Sequence, residues 1–180
     1  MTQHKTQNHL ILGLDPSSTI CGYAVKNCNN LIEAGVITPE DRAGGSFERI
    51  RSMRRDLINI LTHFQPSIIL VEWTKGKVNI RRHHGLGAGL AVYGCGVGAI
   101  ATECDHWQQH NTYCEVIAIN ENDWTRHIKK SERQLAVASR YPQYRVEGDP
   151  GGDIADAIGI IDWWKQENLM RKESNVRKIN

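Results

Sequence analysis

No stretch of this sequence is long and apolar enough to cross a bilayer, because Gly, Cys or charge interrupts every hydrophobic run well short of about 20 residues. The first eight residues are polar and lack the apolar core of a secretory signal, so a cytoplasmic location is expected. Cys-x-x-Cys couples are also absent. The five cysteines, Cys21, Cys28, Cys95, Cys104 and Cys114, cannot all pair with one another, which argues against a disulfide framework or a zinc ribbon and for reduced, mostly buried thiols. Cys104, His106 and His110 have a spacing that could put ligands on one helical face, but that signal is weak by itself and a polar helix end is the favoured reading. There is no internal repeat, low-complexity block or domain linker, and 180 residues suffice for one domain with its own core. Neither sign of charge dominates, with 22 basic against 20 acidic residues.

What is present is a mixed α/β pattern. His9 to Asp15 is an apolar run closed by an acid and a proline, as expected of a central strand buried on both faces. Ile20 to Lys26 and Leu31 to Ile37 complete an antiparallel meander. Phe47, Ile50, Leu57, Leu61 and Phe64 recur at helical spacing, with Arg49, Arg51, Arg54 and Arg55 on the wetter side. Ser67 to Glu72 is a second apolar strand closing on an acid. A Gly- and Ala-rich helix is expected from Leu86 to about Trp107, and a strand from Thr112 to Ile119. Ser131 and Gln134 resemble a capping box opening a helix to about Arg140. A final helix is expected from about Asp153 to Leu169, followed by a basic tail of doubtful order. The element order predicts a mixed sheet of about five strands with helices on both faces.

The acids carry the chemical signal. Asp15 and Glu72 end apolar strands, where α/β folds collect catalytic groups. Asp153 and Asp156 lie three apart at a helix start, so their side chains leave one face. Asp15 could be a turn residue and Asp153 a helix cap, but an acid ending a hydrophobic strand, as Glu72 does, is costly if buried without a purpose. Four converging carboxylates would repel one another unless a divalent cation holds them ionised, and oxygen-only ligands select Mg²⁺ or Mn²⁺. Such a cluster suits phosphodiester hydrolysis with two ions roughly 4 Å apart. Setting these four acids aside leaves 16 acidic against 22 basic residues, a balance suited to a polyanion.

Residues 11–25, ILGLDPSSTICGYAV, resemble the opening of the RuvC family of Holliday junction resolvases, in which an Asp-Pro turn precedes a Gly-aromatic pair, here Gly22-Tyr23. IILVEW around Glu72 and GGDIADAIGII around Asp153 and Asp156 are similar to the family's second and third motifs, in the same order. The resemblance covers about residues 10–165. It implies an RNase H-like fold and a homodimer with two active sites. It also implies paired metal-dependent nicks across a four-way DNA junction, leaving 5′-phosphate and 3′-hydroxyl ends, with Asp15, Glu72, Asp153 and Asp156 as catalytic, metal-binding residues. Two departures stand out: Ser17 replaces the usual Gly after Asp-Pro, and Lys75 stands where the family commonly has a junction-stacking aromatic, for which Trp73 is the nearest substitute.

Lys75, Lys77, Arg81 and Arg82, in an acid-free loop directly after Glu72, are expected to hold DNA phosphates, as are Lys129 and Lys130, near which Arg126 adds a third charge. The tail residues Arg171, Lys172, Arg177 and Lys178 are expected only to solubilise the chain. Trp163 and Trp164, in an apolar helix, are expected in the core, whereas Trp124 could stack on bases. Gly87, Gly89, Gly94, Gly96 and Gly98 each cost about 1 kcal/mol of helix propensity, so close backbone approach, to the sheet or across a dimer, is expected there. Nothing in the sequence calls for a branch-migration motor. Three other activities fit part of the pattern. Another RNase H-like nuclease, acting on RNA–DNA hybrids or in DNA packaging, would share the acids. A non-catalytic junction binder would have no use for them. An actin-like ATPase or sugar kinase would need a second domain and Gly-rich phosphate loops.

Overall fold

The computed structural model describes residues 9–17, 19–27, 30–39, 45–73 and 87–177, with the backbone alone at 87–90 and 171–177. Five strands, β1 (Leu10–Pro16), β2 (Cys21–Asn27), β3 (Asn30–Ile37), β4 (Ile68–Trp73) and β5 (Glu115–Asn120), form one sheet in the order β3-β2-β1-β4-β5. The first three make the expected antiparallel meander, whereas β4 and β5 run parallel to β1. The C-terminal ends of β1, β4 and β5 therefore share one edge of the sheet, the edge on which α/β folds build their sites.

Alternation along β1 divides the core. Leu12 and Leu14 point to one face, where they pack with Val25, Ile69 and Val71 against Met53, Leu57 and Leu61 of α1 (Ser46–Phe64) and Ile100 and Cys104 of α2 (Gly87–His110). Ile11 points to the other face, with Ala24, Leu70 and Ile119. These pack under Val137 of α4 (Lys130–Arg140) and Ala157, Ile158 and Ile161 of α5 (Asp153–Arg177). A short helix, α3 (Glu121–Thr125), follows β5 directly. Two-sided burial explains why β1 and β4 are nearly continuous apolar runs.

Three expectations need correction, and one open alternative is narrowed. Phe47 lies outside the buried stripe of α1 and is largely exposed, while Met53 takes a core place. The Ser131 capping box does not form: α4 begins one residue earlier, and its N-cap, Lys129, makes no side-chain cap bond. Helix α5 continues to Arg177 rather than ending near Leu169, so the basic tail is helical up to that point. In α2, a Cβ on Gly94 or Gly98 would meet nothing within 4 Å, so these two glycines do not serve close packing inside the chain.

Trp163 and Trp164 do pack against the α5-side core. Of the described cysteines, Cys21, Cys104 and Cys114 are buried and Cys95 is exposed, all as free thiols. No described helix is long and apolar enough to cross a membrane.

Candidate active site

The register of β1 against β4 pairs Leu14 with Val71, and carrying it one residue further sets Asp15 beside Glu72. Asp15 points to the α5 side, in line with Ile11 and Gly13. Two glycines bring α5 down onto the sheet there. A Cβ on Gly13 would lie 2.4 Å from the Ala157 carbonyl oxygen, and one on Gly22, the cross-strand partner of Asp15, would lie 2.1 Å from that of Asp153. Backbone-to-backbone contact at Gly22 thus delivers the first turn of α5, with Asp153 and Asp156, to the end of β1. The structure brings together all four acids singled out from the sequence.

Asp153 does not cap its helix. That role falls to Asp149, nearly fully buried, whose carboxylate accepts from the Ile154 and Ala155 amides at 3.2 and 2.9 Å and from the Tyr144 hydroxyl at 2.9 Å. Gly152, at φ +71°, lets the chain turn from this cap into α5. With the helix start satisfied by Asp149, the Asp153 side chain is released toward the acid cluster.

Two cations from α4 enter that cluster. Lys130 Nζ lies 3.0 Å from Asp153, 3.1 Å from Asp156 and 4.0 Å from Asp15. Arg133 holds Asp156 in a two-pronged contact, Nε to one oxygen at 2.8 Å and Nη2 to the other at 2.9 Å. The Trp124 indole donates to Glu72 at 2.9 Å, and its ring lies 5.0 Å from the Arg133 guanidinium. Gly159 of α5 makes room for that ring, since a Cβ there would sit 2.9 Å from it. Trp124 is buried, so it is a partner of Glu72 and not a base-stacking platform.

Electrostatics follow from this crowding. Burial, then the charges of Glu72, Asp156 and Asp153, push the Asp15 carboxyl far above the usual carboxylate range, against an opposing pull from Lys130. Burial likewise raises Glu72; the Trp124 bond works against this, while Glu121 and Asp156 add to it. For Lys130 burial works the other way, but Asp156, Asp153 and Asp15 outweigh it and hold its ammonium above the usual lysine range. The cluster therefore has more negative charge than its resident cations neutralise, and it must either take up protons or bind further cations. Among the described residues no three His, Cys, Asp or Glu side chains stand as a ready metal-binding group, and Lys130 sits between the acids. The all-oxygen donor set nevertheless suits a hard divalent ion.

Lys129 is exposed beside the site, and Arg126 is engaged by Glu167 at 2.9 Å. Lys75, Lys77, Arg81 and Arg82 lie outside the described residues. Trp73, next to Glu72, is 40% exposed at the rim. The His106 and His110 ring centroids lie 4.3 Å apart with the rings tilted 51°, and His110 Nδ1 is bonded to the His106 carbonyl, which fits the polar helix end. Sequence reading missed Arg133, Asp149 and the Trp124–Glu72 bond; Gly159, a glycine within an apolar helix, was the available signal for a large neighbour.

No protein-family model matches this sequence, and no curated protein matches it. The fold does have solved counterparts. Thermus thermophilus RuvC in complex with a Holliday junction substrate superposes with a TM-score of 0.63 at 17% identity, over 84% of this chain and 89% of that one. The fowlpox virus Holliday junction resolvase gives 0.54 at 14%, over 88% and 98%, and its complex with junction DNA gives 0.55 at 16%, over 89% and 99%. The chain has the RNase H-like α/β fold of these proteins.

Proposed function

We propose that this chain is a structure-selective DNA endonuclease that resolves four-way junctions by paired nicks in opposing strands, leaving 5′-phosphate and 3′-hydroxyl ends. The observation that carries the reading is the convergence of Asp15, Glu72, Asp153 and Asp156, from three separate segments, at the strand-end edge of an RNase H-like sheet. The junction itself comes from the motif resemblance and from the solved counterparts, two of which hold junction DNA.

Asp15, Glu72, Asp153 and Asp156 would hold Mg²⁺ or Mn²⁺, two per site. Bound there, the ions would lower the pKa of the attacking water and stabilise the leaving oxygen. The chain's own residues prepare that site. Trp124 fixes one oxygen of Glu72, and Arg133 fixes both oxygens of Asp156. Lys130 balances part of the acid charge and would be placed to meet a phosphate bound at the acids. Lys129 and the basic residues Lys75, Lys77, Arg81 and Arg82 would hold flanking phosphates, and exposed Trp73 would stack on an opened base pair. A homodimer would form through α2, whose open Gly94 and Gly98 permit close approach of a second copy.

Purified protein with Mg²⁺ or Mn²⁺ should nick a synthetic four-way junction symmetrically and leave linear duplex and RNA–DNA hybrid largely intact. Equal cutting of the hybrid would remove the resolvase assignment while sparing the nuclease one. Light scattering at micromolar concentration should give a dimer; a purely monomeric species would contradict the paired-nick arrangement.

A further inference from the structure

Helix α3 ends at Thr125 and α4 begins at Lys130, so Arg126 to Lys129 connect them beside the acid cluster that Lys130 enters. This connection contains two consecutive left-handed residues, Arg126 at φ 47° and His127 at φ 65°. A Cβ makes that conformation unfavourable, and the other described non-glycine residue that adopts it, Gln65, closes a long helix in the ordinary way. Two in succession persist only where the surroundings fix them.

Ile128 is where they are fixed. Its amide donates to the Thr125 carbonyl oxygen at 2.8 Å, and its carbonyl oxygen accepts from Arg133 Nη1 at 2.6 Å. The guanidinium that takes this carbonyl is the one that grips both oxygens of Asp156. Arg126, at the start of the connection, is held by Glu167 at 2.9 Å. The Ile128 backbone is thus tied at both polar groups, one guanidinium away from a proposed catalytic acid. Its side chain nevertheless points outward: it is 46% exposed, while Trp124 and Thr125 just before it are buried. Single exposed apolar residues are ordinary, and Phe47 and Leu135 are others on this surface. What distinguishes Ile128 is a tethered backbone carrying a β-branched side chain, which is stiff about its first torsion.

We propose that Ile128 is a wedge that enters the DNA base stack beside the cut and sets the preference for branched over linear substrate. The inference rests on the proposed nuclease function. Ile128 lies two residues before Lys130, so their Cα atoms are at most about 7.6 Å apart. Lys130 Nζ in turn is 3.0 Å from Asp153. At about 3.4 Å per nucleotide along one strand, the Ile128 side chain stands within a few base steps of a phosphate bound at the acids. Exposed Lys129, its neighbour, would hold the backbone of the strand it enters. An aliphatic side chain inserted at a base step opens it against the stacking energy. At a branch point the stack is already interrupted, so the same insertion costs less there than in linear duplex.

The test uses four-way junctions carrying 2-aminopurine, a base that brightens when unstacked, either at the branch point or in the middle of an arm. Each is titrated with protein in EDTA so that nothing is cut, and affinity for junction and for linear duplex is measured alongside. Wild type should raise the branch-point fluorescence and leave the mid-arm signal unchanged. Ile128→Ala should still bind but lose most of the rise, and its preference for junction over duplex should fall about tenfold, the order expected when one isoleucine side chain loses an apolar contact. Ile128→Leu should restore both, and both variants should melt with the wild type because the side chain is exposed. A full rise with Ile128→Ala, or a rise lost only with Trp73→Ala, overturns the wedge and leaves the resolvase reading standing. A wild type that shows no preference for junction over duplex sinks the resolvase reading and the wedge with it.

Discussion

Asp15→Asn should stabilise the metal-free protein, and should do so only as pH rises. The Asp15 carboxyl is raised from an unfolded value near 3.8 to about 8, by burial first and by Glu72 next. A carboxyl whose folded pKa is raised binds more protons folded than unfolded. Its contribution is therefore complete below about pH 4 and is lost as pH climbs toward 8. At pH 7 the fold must carry a proton that the unfolded chain has released roughly three units earlier, which at about 1.36 kcal/mol per unit bounds the cost near 4 kcal/mol. Asparagine keeps the shape and cannot ionise. Its weaker contact with Lys130 and its own buried amide reduce the gain to about 2–3 kcal/mol, or roughly 5–10 °C of midpoint for a chain of this size.

The assay is thermal denaturation in EDTA at intervals from pH 4 to pH 8.5. Wild type and variant should melt together at pH 4 and diverge steadily above it. Addition of Mg²⁺ or Mn²⁺ at pH 8 should restore the wild type by mass action and leave the variant unmoved, and the variant should not cut DNA. A variant less stable than the wild type at pH 8 without metal, or a gap independent of pH, would refute the electrostatic reasoning. Metal stabilisation equal in the two proteins would remove Asp15 from the proposed ion site.

Three further outcomes test the geometry around the acids. Gly22→Ala drives a Cβ toward the Asp153 carbonyl oxygen, so α5 must lift; a loss of about 1–3 kcal/mol with loss of cleavage is expected in denaturant unfolding and junction assays, and wild-type behaviour would mean that α5 does not rest on β2 there. Trp124→Phe removes the donor to Glu72 while keeping most of the ring; cleavage should fall about tenfold, taking about 1.4 kcal/mol for the lost bond, with junction affinity unchanged, and an unaltered rate would make the indole purely a packing group. Trp73→Ala should narrow the preference for junction over duplex in competitive binding without altering the melting midpoint, because the side chain is exposed at the rim. An unchanged preference would assign junction recognition elsewhere.

The strands that frame the site were legible because their burial leaves a simple mark: β1 and β4 are covered on both faces, so each is apolar until its terminal acid. Asp153 and Asp156 were legible from their spacing at a helix start only together with the third-motif resemblance. The residues that arrange the four acids left no such mark, since each acts across a gap of more than twenty residues in sequence or through a rule that local pattern obscures. Ser131 and Gln134 match a capping box, yet the helix starts at Lys130, which directs that side chain to acids from β1 and α5. Asp149 caps α5 from beyond the usual cap position, hidden in an Asp-Pro-Gly-Gly loop. Arg133 and Trp124 read as surface charge and stray aromatic until the fold sets one against Asp156 and the other against Glu72.

Lys130 shows most clearly what the third dimension adds. From sequence it was one of several basic residues facing a polyanion; in the fold its ammonium lies within 4.0 Å of three of the four acids. An internal cation at that point allows a cluster of buried carboxylates to fold without a divalent ion, and on the proposed function it would have to give way to one. Metal uptake and the release of a lysine toward the DNA backbone would then be one event, linking the proposed chemistry of the acids to the proposed grip on the substrate.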